Sequence, residues 1–521
     1  MIDLPALALL LPPLALLAIG LAPGRPGRRR PEVIAALVAG LAGSMAAGAV
    51  AVGTGVGLAA TSWRPLPAAE WVSIRWDGAA CLMLGLVGVV GWVVARYARR
   101  TVAGDATADL FHRRMAVSLG AVGVFVLAGN LGVMLAAWAL ASVGLRGLLL
   151  HESARPGARR GADWMTLVSR VGDVALLAAA LLVLRRYGTL DLTALHDLTA
   201  AATTGAAAPN DGRAIAWLLI IGCGIKTALV PFHFWLPETL EAPTPVSALM
   251  HAGIVNAGGY ALIRTAPLVS AEPLVMAGLV AIGGLTACLG GLMMAAQPNV
   301  KRQLAFSTVA QMGLMMLQCG LGGFAAAMLH ILAHSGYKAH AFLTHGEALE
   351  RLQAQRLPEL AAPAPAGPFA RGLRLLTAGG IVAVAVAIGL AIVGVSPAEK
   401  PGGWVLAAVL GLGLTHWLDE AFARATGWRT LGAVGLTVAL AVAYAASYRL
   451  IDLAIGPIAA VASGPAQVIA ANVVAVLGVV LLAERRLLPR VGRWGDAVRI
   501  HAANGFYVEA IARRLARSAS G

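Results

Sequence analysis

Formal charge is scarce in this chain. Only 12% of its 521 residues are Asp, Glu, Lys or Arg, about half the share in an ordinary soluble domain, which argues against a water-exposed globule. Lysine is scarcer still: Lys226, Lys301, Lys338 and Lys400 are the whole set, against 40 basic residues in total. The four cysteines, Cys81, Cys223, Cys288 and Cys319, stand singly within apolar segments, as free thiols that pack like small residues do. No Walker loop, dinucleotide fingerprint, or zinc or iron–sulfur spacing occurs, so neither a cofactor nor a metal is expected. Acid is too sparse to balance base, and the net charge is +15. In a soluble protein that would suggest nucleic acid. Here the arginines gather in short loops between apolar runs, a pattern that marks membrane topology, and no nucleic-acid partner is expected.

What is abundant is oil, with 59% of residues hydrophobic. A helix crossing the hydrocarbon layer needs about 20 mostly apolar residues, and about fifteen such runs follow one another. They lie at 2–22, 33–61, 77–95, 115–129, 131–150, 164–184, 214–236, 244–267, 273–297, 302–322, 323–345, 374–396, 401–418, 430–448 and 454–483. The first run lacks a basic leader and is followed by Arg25 to Arg30, so it reads as a retained span surrounded by lipid and not as a signal peptide. Basic loops recur at Arg28–Arg30, Arg96–Arg114, Arg155–Arg160, Lys301–Arg302, Arg351–Arg374, Arg424–Arg429 and from Arg485 onward. Arg185, Arg186 and Arg213 are the main exception. The positive-inside rule then puts the N-terminus outside and the C-terminus inside. Glycines such as Gly53 and Gly57 fit close helix contact better than a phosphate cradle.

Two stretches break this rhythm. Pro231, Pro237, Pro243 and Pro245 punctuate the segment around Pro231-Phe-His-Phe-Trp-Leu-Pro237. Unpaired backbone at membrane depth is tolerated only where protein or water satisfies it. The second stretch, Gln353 to Pro368, is rich in Ala and Pro and reads as a loop between helix groups.

The chemistry-bearing residues are the survivors of the lysine shortage. All four lysines fall inside or at the rim of apolar segments, where arginine does not replace them. Arginine stays protonated, whereas a desolvated amine can release its proton near neutral pH, and intramembrane ionisable residues are functional candidates by default. Lys226, in Gly222-Cys-Gly-Ile-Lys226, is the strongest, with a structural ion pair as the plainer reading. Lys301 beside Arg302 divides evenly between a functional residue and a cytoplasmic helix start, and Lys400 in Pro397-Ala-Glu-Lys400 between a functional residue and an exposed loop residue. His330, His334 and Lys338 recur every fourth residue and share one helix face. Three readings stand for them: a proton relay, which neutral imidazole can support; hydrogen-bonded core histidines; or a metal site, against which the neighbouring lysine and the lack of a carboxylate or thiol argue. His251 is a weaker member. The available acids are Asp173, one turn after Arg170, and Glu238 and Glu241 in the proline-rich break.

These residues resemble the antiporter-like membrane subunits shared by respiratory complex I (subunit L) and Mrp cation antiporters. The resemblance rests on Pro231-Phe-His-Phe-Trp-Leu-Pro237, Ala242-Pro-Thr-Pro-Val-Ser-Ala-Leu-Met-His-Ala252, Lys301-Arg-Gln-Leu-Ala-Phe-Ser-Thr308, and Ser169-Arg-Val-Gly-Asp173 with Gly188-Thr-Leu190. It implies an all-α polytopic membrane protein with two inverted five-helix repeats, each with a broken helix. It further implies a hydrated line of polar residues onto which Lys226, His251, Lys301, His330, His334 and Lys338 fall, with Lys400 less secure. The organisation it implies is N-terminal helices over 1–112, repeats over 113–267 and 268–429 (with a loop at 346–373), C-terminal helices over 430–483 and a basic tail over 484–521.

One departure matters. Redox-driven members carry a glutamate after the tryptophan of the fifth helix, whereas Trp138 is followed here by Ala139. The sequence after Val480 is also a basic tail where complex I members have a long lateral helix. With His334-Ser-Gly-Tyr-Lys-Ala-His-Ala-Phe-Leu343, Met316-Leu-Gln-Cys-Gly-Leu321 and His501-Ala-Ala-Asn-Gly-Phe-Tyr507, these departures look most like the DabB branch of the family. That resemblance implies a bacterial inner-membrane subunit without a catalytic site of its own. It would pass protons down their gradient to drive a zinc-binding, carbonic-anhydrase-like DabA partner in inorganic carbon accumulation. It also makes His501, Asn504, Phe506 and Tyr507 candidates for partner docking, the plainer role of the tail being to hold the C-terminus inside. The rivals are a proton-pumping complex I subunit, an Mrp-type Na+/H+ antiporter subunit, and an inert membrane anchor.

Overall fold

A computed structural model describes residues 4–22, 30–53, 61–63, 73–202, 211–354, 367–400, 402–424, 427–456, 464–486 and 493–520. Nearly all of them are helical. The N-terminal group is α1 (Leu4–Leu21), α2 (Arg30–Gly53), α3 (Gly78–Thr101) and α4 (Ala108–Leu127). Next come α5 (Leu131–Leu149), α6 (Pro156–Tyr187), α7 (Leu192–Ala202), α8 (Asp211–Lys226), α9 (Thr244–Ala252), α10 (Ala257–Arg264) and α11 (Ala266–Ser270). The second half holds α12 (Pro273–Ala295), α13 (Val300–Gly320), α14 (Phe324–Ala354), α15 (Pro368–Val393), α16 (Gly403–Arg424), α17 (Trp428–Ile455) and α18 (Gly464–Arg486). The tail forms α19 (Arg493–Ala503) and α20 (Val508–Ser520).

Local chemistry sets the helix ends. Asp77 accepts from the backbone N–H of Ala80 at 3.0 Å and starts α3. Asn130 caps α5 through Gly132 N–H at 2.8 Å, and Asn299 caps α13 through Arg302 N–H at 3.1 Å, each satisfying donors the helix itself leaves open. Gly188 and Gly394 stop α6 and α15 in the left-handed conformation that glycine adopts most readily.

Nine helices among the described residues are long and apolar enough to cross a bilayer, and three more are apolar but shorter. The expected fifteen spans exceed that number. Several boundaries also move. The basic stretch Arg96–Arg114 runs from the last turns of α3 into the start of α4, and Arg155 to Arg160 is the start of α6, because arginines at a helix end can reach water without breaking the helix. The region 346–373 is described only in part, and Gly57 lies outside the described residues. Among the described residues the only strands form a short hairpin in which β1 (Thr61–Trp63) pairs antiparallel with β2 (Ile74–Trp76).

The expected break is present, but it begins earlier than the prolines alone indicate. α8 ends on Lys226; Ala228 is left-handed, and only the short 3-10 turns Phe232–Trp235 and Pro237–Thr239 intervene before α9. The run at 244–267, expected as one span, is interrupted again between Gly253 and Asn256. Helices α9 and α10 form the centre of the molecule: 94% of their apolar window is buried, against 6% in α16. The second interruption therefore lies inside protein, where its backbone groups can find partners.

Candidate functional site

Lys226 is the last residue of α8, and its side chain is 2% exposed. Its Nζ lies 2.5 Å from Asp173 Oδ1 on α6 and 3.4 Å from Ser142 Oγ on α5. It also sits 4.6 Å from the ring centroid of Trp138, where the negative face of an indole attracts a cation. The other oxygen of Asp173 accepts from Arg170 Nη1 at 3.0 Å. Gly172 makes the approach possible, because a Cβ there would lie 2.7 Å from Lys226 Cγ. The acid partner absent from the position after Trp138 is thus supplied from the neighbouring helix. Of the three candidate acids, Asp173 alone serves Lys226.

A second cluster lies on α9, α13 and α14. His251 Nδ1 lies 3.1 Å from Thr308 Oγ1, and that hydroxyl donates to the Leu304 carbonyl at 3.0 Å. A hydroxyl that spends its one proton on a carbonyl must accept from the imidazole, so Nδ1 of His251 carries the hydrogen. The Nε2 atom is buried and has no hydrogen-bond partner among the described residues, which leaves its lone pair unused. Lys338 Nζ donates to the same Leu304 carbonyl at 3.0 Å. Two donors from different helices therefore meet on one acceptor. His251 stacks on Phe342 at 4.4 Å, His334 hydrogen-bonds the His251 backbone, and Asn256 Nδ2 donates to Ser335 Oγ at 2.9 Å. Among the described residues no direct hydrogen bond joins this cluster to Lys226.

The face-sharing ladder is present in part. The rings of His330 and His334 are 5.8 Å apart and not coplanar, whereas Lys338 turns toward α13. Nε2 of both histidines is buried and has no hydrogen-bond partner among the described residues. Both line a partly open cavity of about 330 Å³ with Ser307, Gln311, Gln318 and Tyr444, room for several water molecules. No group of three or more metal-ligating side chains occurs among the described residues.

The remaining candidates sit at the periphery. Lys301 Nζ donates to the carbonyls of Leu240 and of Ala242, the latter at 2.9 Å, at the end of the first break. Glu238 faces Arg513 of the tail at 3.5 Å. Glu241 faces Arg155 at 3.7 Å. Neither is a partner of Lys226, because the turn that carries them lies beyond the end of α8. Lys400 is half-buried and pairs with Asp452 on α17 at 2.7 Å. In the tail, His501 packs edge-on against Tyr507 at 5.5 Å, Asn504 donates to the Ile500 carbonyl at 2.8 Å, and Phe506 packs against the main core.

Sequence reasoning missed Thr308 and Asp452, which carry no signal without knowledge of which helices touch. It also missed a buried network in which Arg264 reaches Asp77 at 2.5 Å and the Tyr260 hydroxyl at 2.8 Å. An arginine inside the apolar run at 244–267 was the available signal for that one.

Comparison with known proteins gives this arrangement its context. A family model described as "NADH:quinone oxidoreductase/Mrp antiporter, TM" matches residues 128–386, which include both clusters. A probable inorganic carbon transporter subunit DabB of Hydrogenovibrio crunogenus is 34% identical over 384 residues, 72% of this chain and 71% of that protein. DabB2 of Halothiobacillus neapolitanus is 38% identical over 282 residues, 54% of this chain and 51% of that one. Subunit L of the Mycobacterium tuberculosis NADH-quinone oxidoreductase is 32% identical over 282 residues, with 43% of its length covered. The chain thus spans about half, or less, of the latter two relatives. A chain of the Mrp complex from a Dietzia species superposes with a TM-score of 0.62 at 23% identity, covering 98% of this chain and 60% of that one, which establishes the fold. The chain is a multi-pass membrane protein of the antiporter-like group and belongs to its DabB family.

Proposed function

We propose that this chain is the energy-coupling membrane subunit of a two-part inorganic carbon accumulating complex. It conducts protons down their gradient and drives a zinc-binding, carbonic-anhydrase-like DabA partner that performs the chemistry on CO2 or bicarbonate. The observation that carries this reading is the match to a DabB subunit over 72% of the chain. The two clusters supply the means. His251 has a free imidazole nitrogen that can accept a proton, and Thr308 and the Leu304 carbonyl hold it in register with Lys338. Lys226, neutralised by Asp173, forms a second station, and a proton passing between them travels through water. Orientation follows the arginine pattern, with the tail in the cytoplasm of a bacterial cell.

The test is purification of the full chain from native membranes, followed by proton flux measured in vesicles. A single large zinc-binding protein that co-purifies, together with flux that is lost in Lys338→Ala, is the expected result. Co-purification with a set of redox or antiporter subunits, or Na+-coupled flux, would overturn it in favour of a complex I or Mrp role. Full carbon accumulation by a correctly assembled Lys338→Ala variant would remove the relay.

A further inference from the structure

The tail reaches the rim of the first helix break by a specific route. Arg513 on α20 lies 3.5 Å from Glu238 and also pairs with Glu509 one turn before it. Glu238 belongs to the turn Pro237–Thr239. Immediately after it come Leu240 and Ala242, whose carbonyls receive the Lys301 ammonium. That turn has little slack, because a Cβ at Gly161 on α6 would lie 2.4 Å from the Glu238 carbonyl oxygen. The tail is anchored separately: Gln297 Nε2 donates to the Ala503 carbonyl at 3.1 Å, and Phe506 packs on the core. Burial, and then the adjacent Glu509 carboxyl, push Glu238 above the ordinary carboxylate range, while Arg513 and Arg302 pull it down. A charged Glu238 at this place therefore leans on Arg513.

We propose that Arg513 is a positioning residue for Lys301: by holding Glu238 it fixes the Leu240 and Ala242 carbonyls that cradle the ammonium. The conformation of the tail then sets the geometry at one end of the polar line, and a protein bound to the tail acts on that line through one ion pair. The consequence for proton flow rests on the functional reading above, but the mechanical link does not. The plainer alternative is that Arg513 only glues the tail down.

The shortage of lysine makes the test clean. The full-length chain in lipid vesicles is treated with a small amine-reactive reagent, and modification of each of the four lysines is followed by mass spectrometry. In Arg513→Glu, Lys301 is expected to label about fivefold faster, as expected when a half-exposed ion pair no longer holds the cradle, with Lys400 unchanged as the internal control. Arg513→Lys keeps the wild-type rate, and the swap Arg513→Glu with Glu238→Arg restores it. If Arg513→Glu does not fold, Arg513→Gln is read in its place with the same expectation. An unchanged Lys301 rate in a variant whose tail has become protease-sensitive overturns the proposal, as does failure of the swap to restore protection. Wild-type vesicles without proton flux would overturn the functional reading and leave the labelling result standing.

Discussion

Lys226 and Lys338 are both buried in the membrane part of one chain, yet they are solved in opposite ways. Lys226 faces a carboxylate at 2.5 Å, a hydroxyl and an indole face. Lys338 faces a backbone carbonyl, with no carboxylate in ion-pair range among the described residues. A buried ion pair keeps its charges in place, and removing one member leaves the other stranded at high cost. An amine held by a neutral carbonyl has no such partner, so its removal strands no opposite charge. The first amine thus has a counter-charge beside it, and the second has only a neutral acceptor.

The strongest way to break that comparison is to remove the counter-charges separately. Asp173→Asn should cost about 3–5 kcal/mol of stability by leaving an unpaired buried ammonium, read as a large fall in the thermal unfolding midpoint in detergent. Lys338→Met should leave that midpoint unchanged or higher, since an apolar side chain of similar length removes an uncompensated charge, while proton flux disappears. If the two variants lose stability equally, the distinction between the sites fails. A smaller effect is expected from Thr308→Val, which deletes the hydroxyl between His251 and the Leu304 carbonyl. Loss of one buried hydrogen bond of about 1–2 kcal/mol predicts flux lowered about five- to thirtyfold, with Thr308→Ser retaining most of it. The smallest effect belongs to the third lysine. Lys400 and Asp452 are about a quarter exposed, so Lys400→Ala should cost less than about 1 kcal/mol in the same unfolding measurement. A larger loss would move Lys400 into the class of Lys226.

The difference between the sites also shows what a sequence can reveal. Lys226, Lys338 and His251 stand out because a charged or titratable residue inside an apolar run is costly and therefore conspicuous. Four prolines announced the first break. Asp173 was visible as an acid but not as the partner of Lys226, since 53 positions separate them and only the packing of α6 on α8 closes the gap. Thr308 gave no signal, because a threonine in an apolar helix ordinarily bonds its own backbone, and here it does that while also serving His251. The interruption at Gly253–Asn256 contains no proline, and hydropathy passes over it as one continuous span. Lys400 could be read as an exposed loop residue because Asp452 lies 52 positions away.

The turn between α19 and α20 carries a further consequence. Gly505, Phe506 and Tyr507 are consecutive left-handed residues, and each non-glycine residue in that region costs about 1–3 kcal/mol. The turn is therefore strained, and it is held by the tail's contacts with the core and with Glu238. A partner that gripped α20 would not have to supply all the work of lifting it, because the relaxing turn supplies part. The strain in this turn and the contacts that hold it therefore work against each other.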